Sequence, residues 1–299
     1  MIHILTLHFT TNAWLEIQKR HILKYTNKED YKLWLGKYNL ELPEEFEFPA
    51  NWELIDLDKD YPEENKNEHY LQMEWMYGNY IKNEMTDDDI VVFIDSDAFP
   101  CEPRWIFALK EAIEGDSSEH RADVVCLYQM ENRGIAQPDE YYPYPDLCFF
   151  ATTKKAWVEN NLEWGLFSPD HQNPGFGMHD RIAAAELRVG ALTRTNRFNA
   201  HRVMFGVYGD MIYHQACGSR AIIGRPMATG QAAANNRRQC YTGVDLFGRS
   251  LIGNWFEEEF EEECADIINT NTEIFDIIYN KIQKDQNCTF IRRYFMGKS

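Results

Sequence analysis

The chain lacks long hydrophobic runs and has few basic residues for its length. No apolar stretch approaches the roughly 18 residues that a membrane-spanning helix needs, so we expect no membrane span. The 30 lysines and arginines are outnumbered by 48 aspartates and glutamates, which gives a formal net charge of −18. Because a nucleic-acid backbone or an anionic lipid surface is bound by clustered positive charge, both partners are disfavoured. If the ligand is itself an anion, a bound cation becomes more necessary.

Paired cysteines are also missing. The seven cysteines include no Cys-x-x-Cys motif and are odd in number, which favours reduced, mostly buried thiols over a disulfide framework. We therefore expect a cytoplasmic protein. The apolar segment from Ile2 to Phe9 has no basic region before it, so it is predicted to be a first strand and not a signal peptide.

The composition favours a folded α/β chain. With 299 residues, 44% of them hydrophobic and 14% aromatic, the chain can form a sizeable core in one large domain or two small ones. We predict one main domain over residues 1–248 and an acidic, helical C-terminal extension over residues 249–299. Strand and helix patterns alternate along the main domain. The predicted elements are strands at 2–9, 52–57, 90–94, 122–128 and 147–152, helices at 13–25, 68–85, 104–114 and 181–189, irregular chain at 36–51, and a strand pair within 200–213.

The most informative stretch is a buried strand that ends in two carboxylates. Ile90 to Ile94 is apolar without alternation, which is typical of a strand covered on both faces. Asp95-Ser96-Asp97 follows, and Pro100 prevents a simple continuation. Open α/β sheets bind ligands at the carboxyl ends of their strands, and two hard oxygen ligands there suit Mg²⁺ or Mn²⁺ with a phosphate. The alternative is a solvated turn in which one aspartate caps a helix.

Other polar residues are expected near the same sheet edge. His8, Thr10 and Asn12 follow or end the first strand and would lie at the ligand edge, although for any one of them an ordinary loop or capping role is the simpler explanation. His214 closes an apolar strand and could supply a nitrogen ligand, or it could be a structural histidine. Arg220, in Gly218-Ser219-Arg220, could bind a phosphate.

Asp180 is the candidate catalytic carboxylate. It lies between an irregular segment at 168–180 and the helix predicted from residue 181. A helix N-cap is one explanation. A catalytic or acceptor-binding carboxylate, kept ionised by the helix end, is the other.

The order of these motifs resembles that of GT-A fold glycosyltransferases over about residues 2–220. The resemblance is carried by the Asp-Ser-Asp strand end, the later strand Phe149-Phe150-Ala151-Thr152, Asp180, and His214 before Gly218-Ser219-Arg220. It implies a Rossmann-like domain with a mixed, mostly parallel central sheet flanked by helices, a nucleotide-diphosphate sugar donor and a divalent metal, Mn²⁺ or Mg²⁺. It further implies that Asp97 binds the metal directly, that Asp95 binds metal or ribose, that His214 is a C-terminal metal ligand, and that Ser96 lies against the donor.

The activity implied is transfer of a sugar to a hydroxyl acceptor, with a glycan as the expected class. In an inverting mechanism Asp180 would accept the hydroxyl proton, and in a retaining one it would only position substrates, so the stereochemistry stays open. Aromatic segments at 131–146 and 168–179 suit stacking on sugar rings but equally a peptide or a lipid head group.

Two alternatives come from other functional classes. A haloacid-dehalogenase-type phosphohydrolase also places Asp-x-Asp after an apolar strand. That family has Thr or Val two residues beyond the second aspartate, where this chain has Phe99, and carries the motif on its first strand. A non-catalytic protein that binds a sugar or nucleotide on a degenerate transferase scaffold is the second alternative.

Overall fold

Strands and helices alternate from the first residues onward. The computed structural model describes residues 1–9, 14–62, 69–115, 121–130, 143–164, 174–192, 206–209, 211–214 and 288–290. The strands are β1 (Ile2–Phe9), β2 (Tyr31–Tyr38), β3 (Trp52–Asp56), β4 (Ile90–Asp95), β5 (Ala98–Pro100), β6 (Val124–Met130), β7 (Pro143–Thr153), β8 (Val189–Leu192), β9 (Gly206–Tyr208), β10 (Ile212–His214) and β11 (Cys288–Phe290). The helices are α1 (Leu15–Tyr25), α2 (Leu57–Asp60), α3 (His69–Met76), α4 (Trp105–Glu114), α5 (Lys154–Glu159) and α6 (Pro174–Ala184), and a π-helical turn, Tyr77–Ile81, continues α3.

Eight strands form the main sheet in the order β11-β8-β6-β7-β4-β1-β2-β3. Among the described strands of this sheet, only the two pairings made by β7, with β4 and with β6, are antiparallel. The structure therefore confirms the predicted α/β class with a mixed, mostly parallel central sheet flanked by helices.

Strand β4 is covered on both faces. Ile90, Val92 and Ile94 belong to an apolar cluster with residues of α1 and α4. Val91 and Phe93 belong to a second cluster with residues of α3, α5 and α6. Burial on both faces explains why this strand shows no alternation of apolar and polar residues.

A second, three-stranded sheet continues from the end of β4. Its order is β5-β10-β9, and both pairings are antiparallel. The register places His214 opposite Ala98 and Tyr213 opposite Phe99. Trp14, Phe99, Cys101 and Tyr213 form its small apolar cluster, which joins the start of α1 to this sheet.

Several predicted boundaries were wrong. The helix predicted at 181–189 is α6, which begins at Pro174 and ends at Ala184, and residues 189–192 form β8. Proline is favoured in the first turn of a helix, but Pro174 followed by Gly175 suits a loop as well. Residues 36–38, predicted as irregular, complete β2. The predicted helix at 68–85 ends its α-helical part at Met76, and residues 143–146 of the aromatic segment belong to β7.

The predicted C-terminal extension is described only at residues 288–290, which form β11 and pair in parallel with β8. The rest of residues 249–299, and with it the predicted helical character, lies outside the described residues. The domain boundary after residue 248 stays a prediction.

Two predictions from the sequence concern the cysteines and the membrane-spanning potential of the helices. Cys101, Cys126 and Cys148 are free and buried, as predicted, while Cys217, Cys240 and Cys264 lie outside the described residues. In the described part of the chain, no helix has both the length and the apolar character that crossing a bilayer requires.

Candidate metal centre

Two different pairings bring three ligating side chains together. Asp95 is the last residue of β4, and Asp97 lies in the two-residue turn before β5. The antiparallel pairing of β5 with β10 then places His214 next to Ala98. As a result, the ligating atoms of Asp95, Asp97 and His214 all lie within 4.8 Å of one another.

The ligating atoms of this cluster lie close together and are largely shielded from solvent. His214 Nε2 lies 3.5 Å from Asp97 Oδ1 and 3.9 Å from Asp95 Oδ2. Asp97 and His214 are buried, and Asp95 is half-buried. Asp95 Oδ1 and His214 Nδ1 are buried atoms that have no hydrogen-bond partner within the described structure.

Two further polar side chains face the cluster. His69, the first residue of α3, places Nε2 3.7 Å from Asp95 Oδ1. Asp146 lies where the β6–β7 register shifts, and its Oδ1 accepts a hydrogen bond from the Cys148 amide at 3.0 Å. The carboxylate of Asp146 acts electrostatically on both Asp95 and His214.

These surroundings shift the pKa values of the cluster in a consistent way. Burial, aided by the charges of Asp97 and Asp146 against the opposing histidines, raises the pKa of Asp95 to about 6. Burial alone would lower the pKa of His214, but the carboxylates of Asp97, Asp146 and Asp95 outweigh it and raise that pKa to about 9. The site therefore holds more negative charge than its histidines balance.

A divalent cation fits this donor set. Two carboxylates and one imidazole are oxygen and nitrogen ligands that divalent metals accept, and a cation would relieve the repulsion between the carboxylates. The unpartnered Asp95 Oδ1 supports this fit, because a buried charged oxygen without a hydrogen bond is costly unless something binds it. Because metal ligands must be deprotonated, a cation here would compete with the proton on His214.

His8 lies at the same sheet edge and is uncharged. It follows Leu7, which is the register partner of Asp95 across the β1–β4 pairing. Its Nε2 lies 2.9 Å from Gln18 Oε1, and its Nδ1 is buried with no hydrogen-bond partner in the described part of the chain. Burial lowers the pKa of His8 to about 4, so the ring is neutral at pH 7.

The other predicted site residues fall into two groups. Ser96 is half-buried in the turn between the two carboxylates. Asp180 is half-buried in the interior of α6, so the predicted position at a helix N-terminus was wrong. The ligating cluster found among the described residues does not include Asp180. Thr10, Asn12 and Arg220 lie outside the described residues.

Three residues near the cluster were not predicted from the sequence: Gln18, His69 and Asp146. Gln18 carried a usable signal, since it stands one helical turn after Trp14 on the buried face of α1. His69 and Asp146 carried none, because their proximity depends on the packing of α3 and on the irregular register of β7.

No protein-family model matches the chain, and no curated protein sequence matches it. Among solved structures, S. aureus TarS, residues 1–349, is similar at a TM-score of 0.42 and 10% identity over 80% of this chain and 69% of that chain. Galactosyltransferase LgtC, solved with donor and acceptor sugar analogues, is similar at a TM-score of 0.38 and 13% identity over 92% of this chain and 95% of that chain. Mannosyltransferase PcManGT from Pyrobaculum calidifontis, solved with GDP-Man and Mn²⁺, is similar at a TM-score of 0.39 and 10% identity over 95% and 74%. Similarity at this level of identity and TM-score does not establish the activity of this chain, which is therefore argued from its own site.

Proposed function

We propose that this chain is a metal-dependent glycosyltransferase that moves a sugar from a nucleotide-diphosphate donor to a hydroxyl acceptor, with a glycan as the expected acceptor. The observation that supports it most is the cluster of Asp95, Asp97 and His214 at the carboxyl end of β4. The resemblance of the sequence motifs to GT-A glycosyltransferases agrees with this proposal.

The position of the cluster in the sheet supports a nucleotide ligand. β1, β2, β3 and β4 are parallel, so their carboxyl ends lie at one sheet edge, where open α/β sheets bind ligands. His8 and Ser96 are both next to the register pair Leu7–Asp95 at that edge. The chain as a whole is strongly acidic, so an anionic diphosphate needs a local positive charge in order to bind here.

In this proposal Asp95, Asp97 and His214 hold Mn²⁺ or Mg²⁺. The bound cation would offset the negative charge that develops on the leaving diphosphate. Ser96 is a half-buried residue between Asp95 and Asp97 in the turn, and its hydroxyl is proposed to contact the donor. His8, Thr10, Asn12 and Arg220 are proposed as further donor-binding residues, and neutral His8 adds no positive charge of its own at pH 7.

Asp180 is proposed as the residue that accepts the proton of the acceptor hydroxyl, or that positions the substrates in a retaining mechanism. Its place inside α6 removes the argument from the helix N-terminus, so the proposal rests on its half-buried carboxylate and the motif order. We expect Asp180→Asn to lower the rate of transfer on the order of 100-fold while donor binding changes little. Full activity in this variant would exclude Asp180 as the base.

Domain extent and compartment are part of the same proposal. We assign the transferase to residues 1–248 and a C-terminal extension to residues 249–299. The free, buried thiols of Cys101, Cys126 and Cys148 support a reducing, cytoplasmic environment.

The direct test is release of nucleoside diphosphate from a panel of nucleotide sugars, with glycan acceptors, in Mn²⁺ and in EDTA. The wild type should turn over one donor in Mn²⁺ only, and Asp97→Asn should abolish turnover. Asp88→Asn is the matched control, since Asp88 is an exposed aspartate next to the opposite end of β4. Phosphomonoester hydrolysis without sugar transfer would favour the phosphohydrolase, and EDTA-insensitive binding without turnover would favour the non-catalytic alternative.

A further inference from the structure

Gln18 is a buried amide whose hydrogen bonds reach three parts of the site. It lies in α1 and is only 1% exposed. Its Nε2 donates to the carbonyl oxygens of Asp95 at 2.7 Å and Ala98 at 2.8 Å. Its Oε1 accepts from Thr6 Oγ1 at 3.2 Å and lies 2.9 Å from His8 Nε2. Two donors and two acceptor sites are thus all used, which is the full capacity of a glutamine amide.

The two carbonyls bracket the turn that carries the carboxylates. Asp95 is the last residue of β4 and Ala98 the first of β5, and only Ser96 and Asp97 lie between them. Because both oxygens are within 2.8 Å of one nitrogen, Gln18 holds the two ends of this turn at a fixed separation. Without the amide, the carbonyl of Ala98 would lose a buried partner, which a folded chain tolerates poorly.

All three proposed ligands are connected to this bracketed backbone, two of them through the chain and one through strand pairing. Asp95 supplies one of the bonded carbonyls, and Asp97 lies inside the turn. His214 is the register partner of Ala98, which supplies the other carbonyl. Moving the turn would therefore change the distances among all three ligating side chains.

The same amide fixes the protonation of His8. Carbonyl oxygens only accept hydrogen bonds, so the atom of Gln18 that faces Asp95 and Ala98 must be its NH₂ group. The amide oxygen then faces Thr6 and His8, and His8 must donate from Nε2. Nδ1 of His8 is left as the unprotonated nitrogen.

We propose that Gln18 is a positioning residue that sets the Asp-Ser-Asp turn for cation binding and holds His8 in the Nε2–H tautomer. This inference rests on the proposed function, since it concerns the same site. Outer-shell partners of metal ligands typically change metal affinity by 10- to 100-fold when they are removed, and we expect Gln18 to act in that range.

Two substitutions separate the two roles. Gln18→Glu keeps acceptor oxygens for Thr6 and His8 but loses the NH₂ donors to the turn, so Mn²⁺ affinity should fall roughly 10- to 100-fold while His8 keeps its proton on Nε2. Gln18→Leu removes both functions, so affinity should fall and the His8 tautomer should become mixed. His21→Leu is the matched control, because His21 also bonds α1 to a β5 carbonyl, that of Pro100 at 3.2 Å, but three residues beyond Asp97. Its Mn²⁺ affinity should stay within about twofold of wild type.

The measurements are Mn²⁺ titration calorimetry and nitrogen–proton NMR of the full chain labelled at histidine, with His8 assigned by a His8→Asn variant. Unchanged Mn²⁺ affinity in both Gln18 variants would overturn the positioning role while leaving the proposed function intact. A His8 proton on Nδ1 in the wild type would overturn the tautomer assignment. If the wild type binds no Mn²⁺, the metal part of the proposed function fails instead, and the His8 tautomer in Gln18→Leu and Gln18→Glu decides whether Gln18 acts on His8.

Discussion

Two aspartates end parallel strands at the same edge of the main sheet, and the side chains that surround them differ in charge. Asp56 ends β3 and has lysine partners on both oxygens, Lys37 at 2.8 Å and Lys59 at 3.0 Å. Asp95 ends β4 and faces two other carboxylates, Asp97 and Asp146, with only histidines opposite.

The pKa directions express this difference. Burial by itself favours a higher pKa for both carboxyls. At Asp56 the lysines outweigh burial, and the pKa is lowered. At Asp95 the neighbouring carboxylates add to the effect of burial, and the pKa is raised. The charge at the end of β3 is therefore neutralised by the chain itself. The charge at the end of β4 is opposed only by histidines, which supports the proposal that a cation from solution binds at β4 and not at β3.

The largest expected effect is on cation binding. Asp97→Asn removes a proposed ligand just after the end of β4 and should weaken Mn²⁺ binding at least about 100-fold, the upper end of the losses caused by outer-shell changes. Asp56→Asn removes the same charge at β3 and should leave Mn²⁺ affinity within about twofold. Titration calorimetry on both variants checks the comparison, and equal losses in the two would mean that the sheet edge binds cations only through its overall charge.

The strand that carries the two carboxylates could be predicted from the sequence, because burial on both faces leaves a pattern that local residues reveal. Interruptions of such a pattern that arise from tertiary packing could not be predicted from the sequence. Gly36 interrupts the apolar pattern of β2, and a Cβ at this position would come within 2.6 Å of the flexible end of the Met76 side chain, which would have to move. Contacts of this kind depend on tertiary packing, so the continuation of β2 through residues 36–38 was not predicted from the sequence.

The site was predictable only in part for the same reason. Asp95 and Asp97 are separated by only one residue in the sequence, and the order of motifs predicted His214 as a third ligand. Gln18 carried only the pattern of a buried helix face. His69 and Asp146 come near the cluster through the packing of α3 and the shifted register of β7, neither of which leaves a local pattern. The start of α6 was missed because Pro174-Gly175 suits a loop and a helix start equally.

The next largest effect is expected at Glu74, a carboxyl whose pKa is raised mainly by burial. Glu74 of α3 accepts a hydrogen bond from the Trp164 amide at 3.2 Å, and burial raises its pKa from 4.5 to about 7. The unfolded chain loses this proton first as pH rises. The contribution of Glu74 to stability is therefore fully present below pH 4.5 and is lost as pH rises through about 7.

We expect the unfolding free energy of the wild type to fall relative to Glu74→Gln over that window. The relative change should be on the order of 1–2 kcal/mol once solvent screening of a half-buried group is allowed for. Urea unfolding of both proteins between about pH 4 and pH 8 measures it. Parallel profiles would mean that Glu74 has the same pKa in the folded and the unfolded chain.

The smallest effect is expected at the neutralised aspartate. Lys37 lies 2.8 Å from Asp56 and 3.2 Å from Asp58, so Lys37→Met should raise the pKa of Asp56 and cost about 0.5–1 kcal/mol of stability. Lys28→Met is the control, since Lys28 is 79% exposed and the substitution changes net charge equally. A change in Mn²⁺ affinity in Lys37→Met, absent from the control, would show that the two strand ends are coupled and not independent.

The most direct measurement is thermal unfolding of the wild type and Asp97→Ala with a panel of nucleoside diphosphates, each in Mn²⁺ and in EDTA. A ligand that binds only the folded state raises the midpoint, by about 5 °C for a chain of this size when ligand is at roughly 100 times its dissociation constant. A Mn²⁺-dependent rise with one nucleotide, lost in Asp97→Ala, is the predicted result and would identify the base of the donor. No rise with any nucleotide, or a rise that EDTA and the substitution leave unchanged, would contradict a nucleotide–metal site at Asp95, Asp97 and His214.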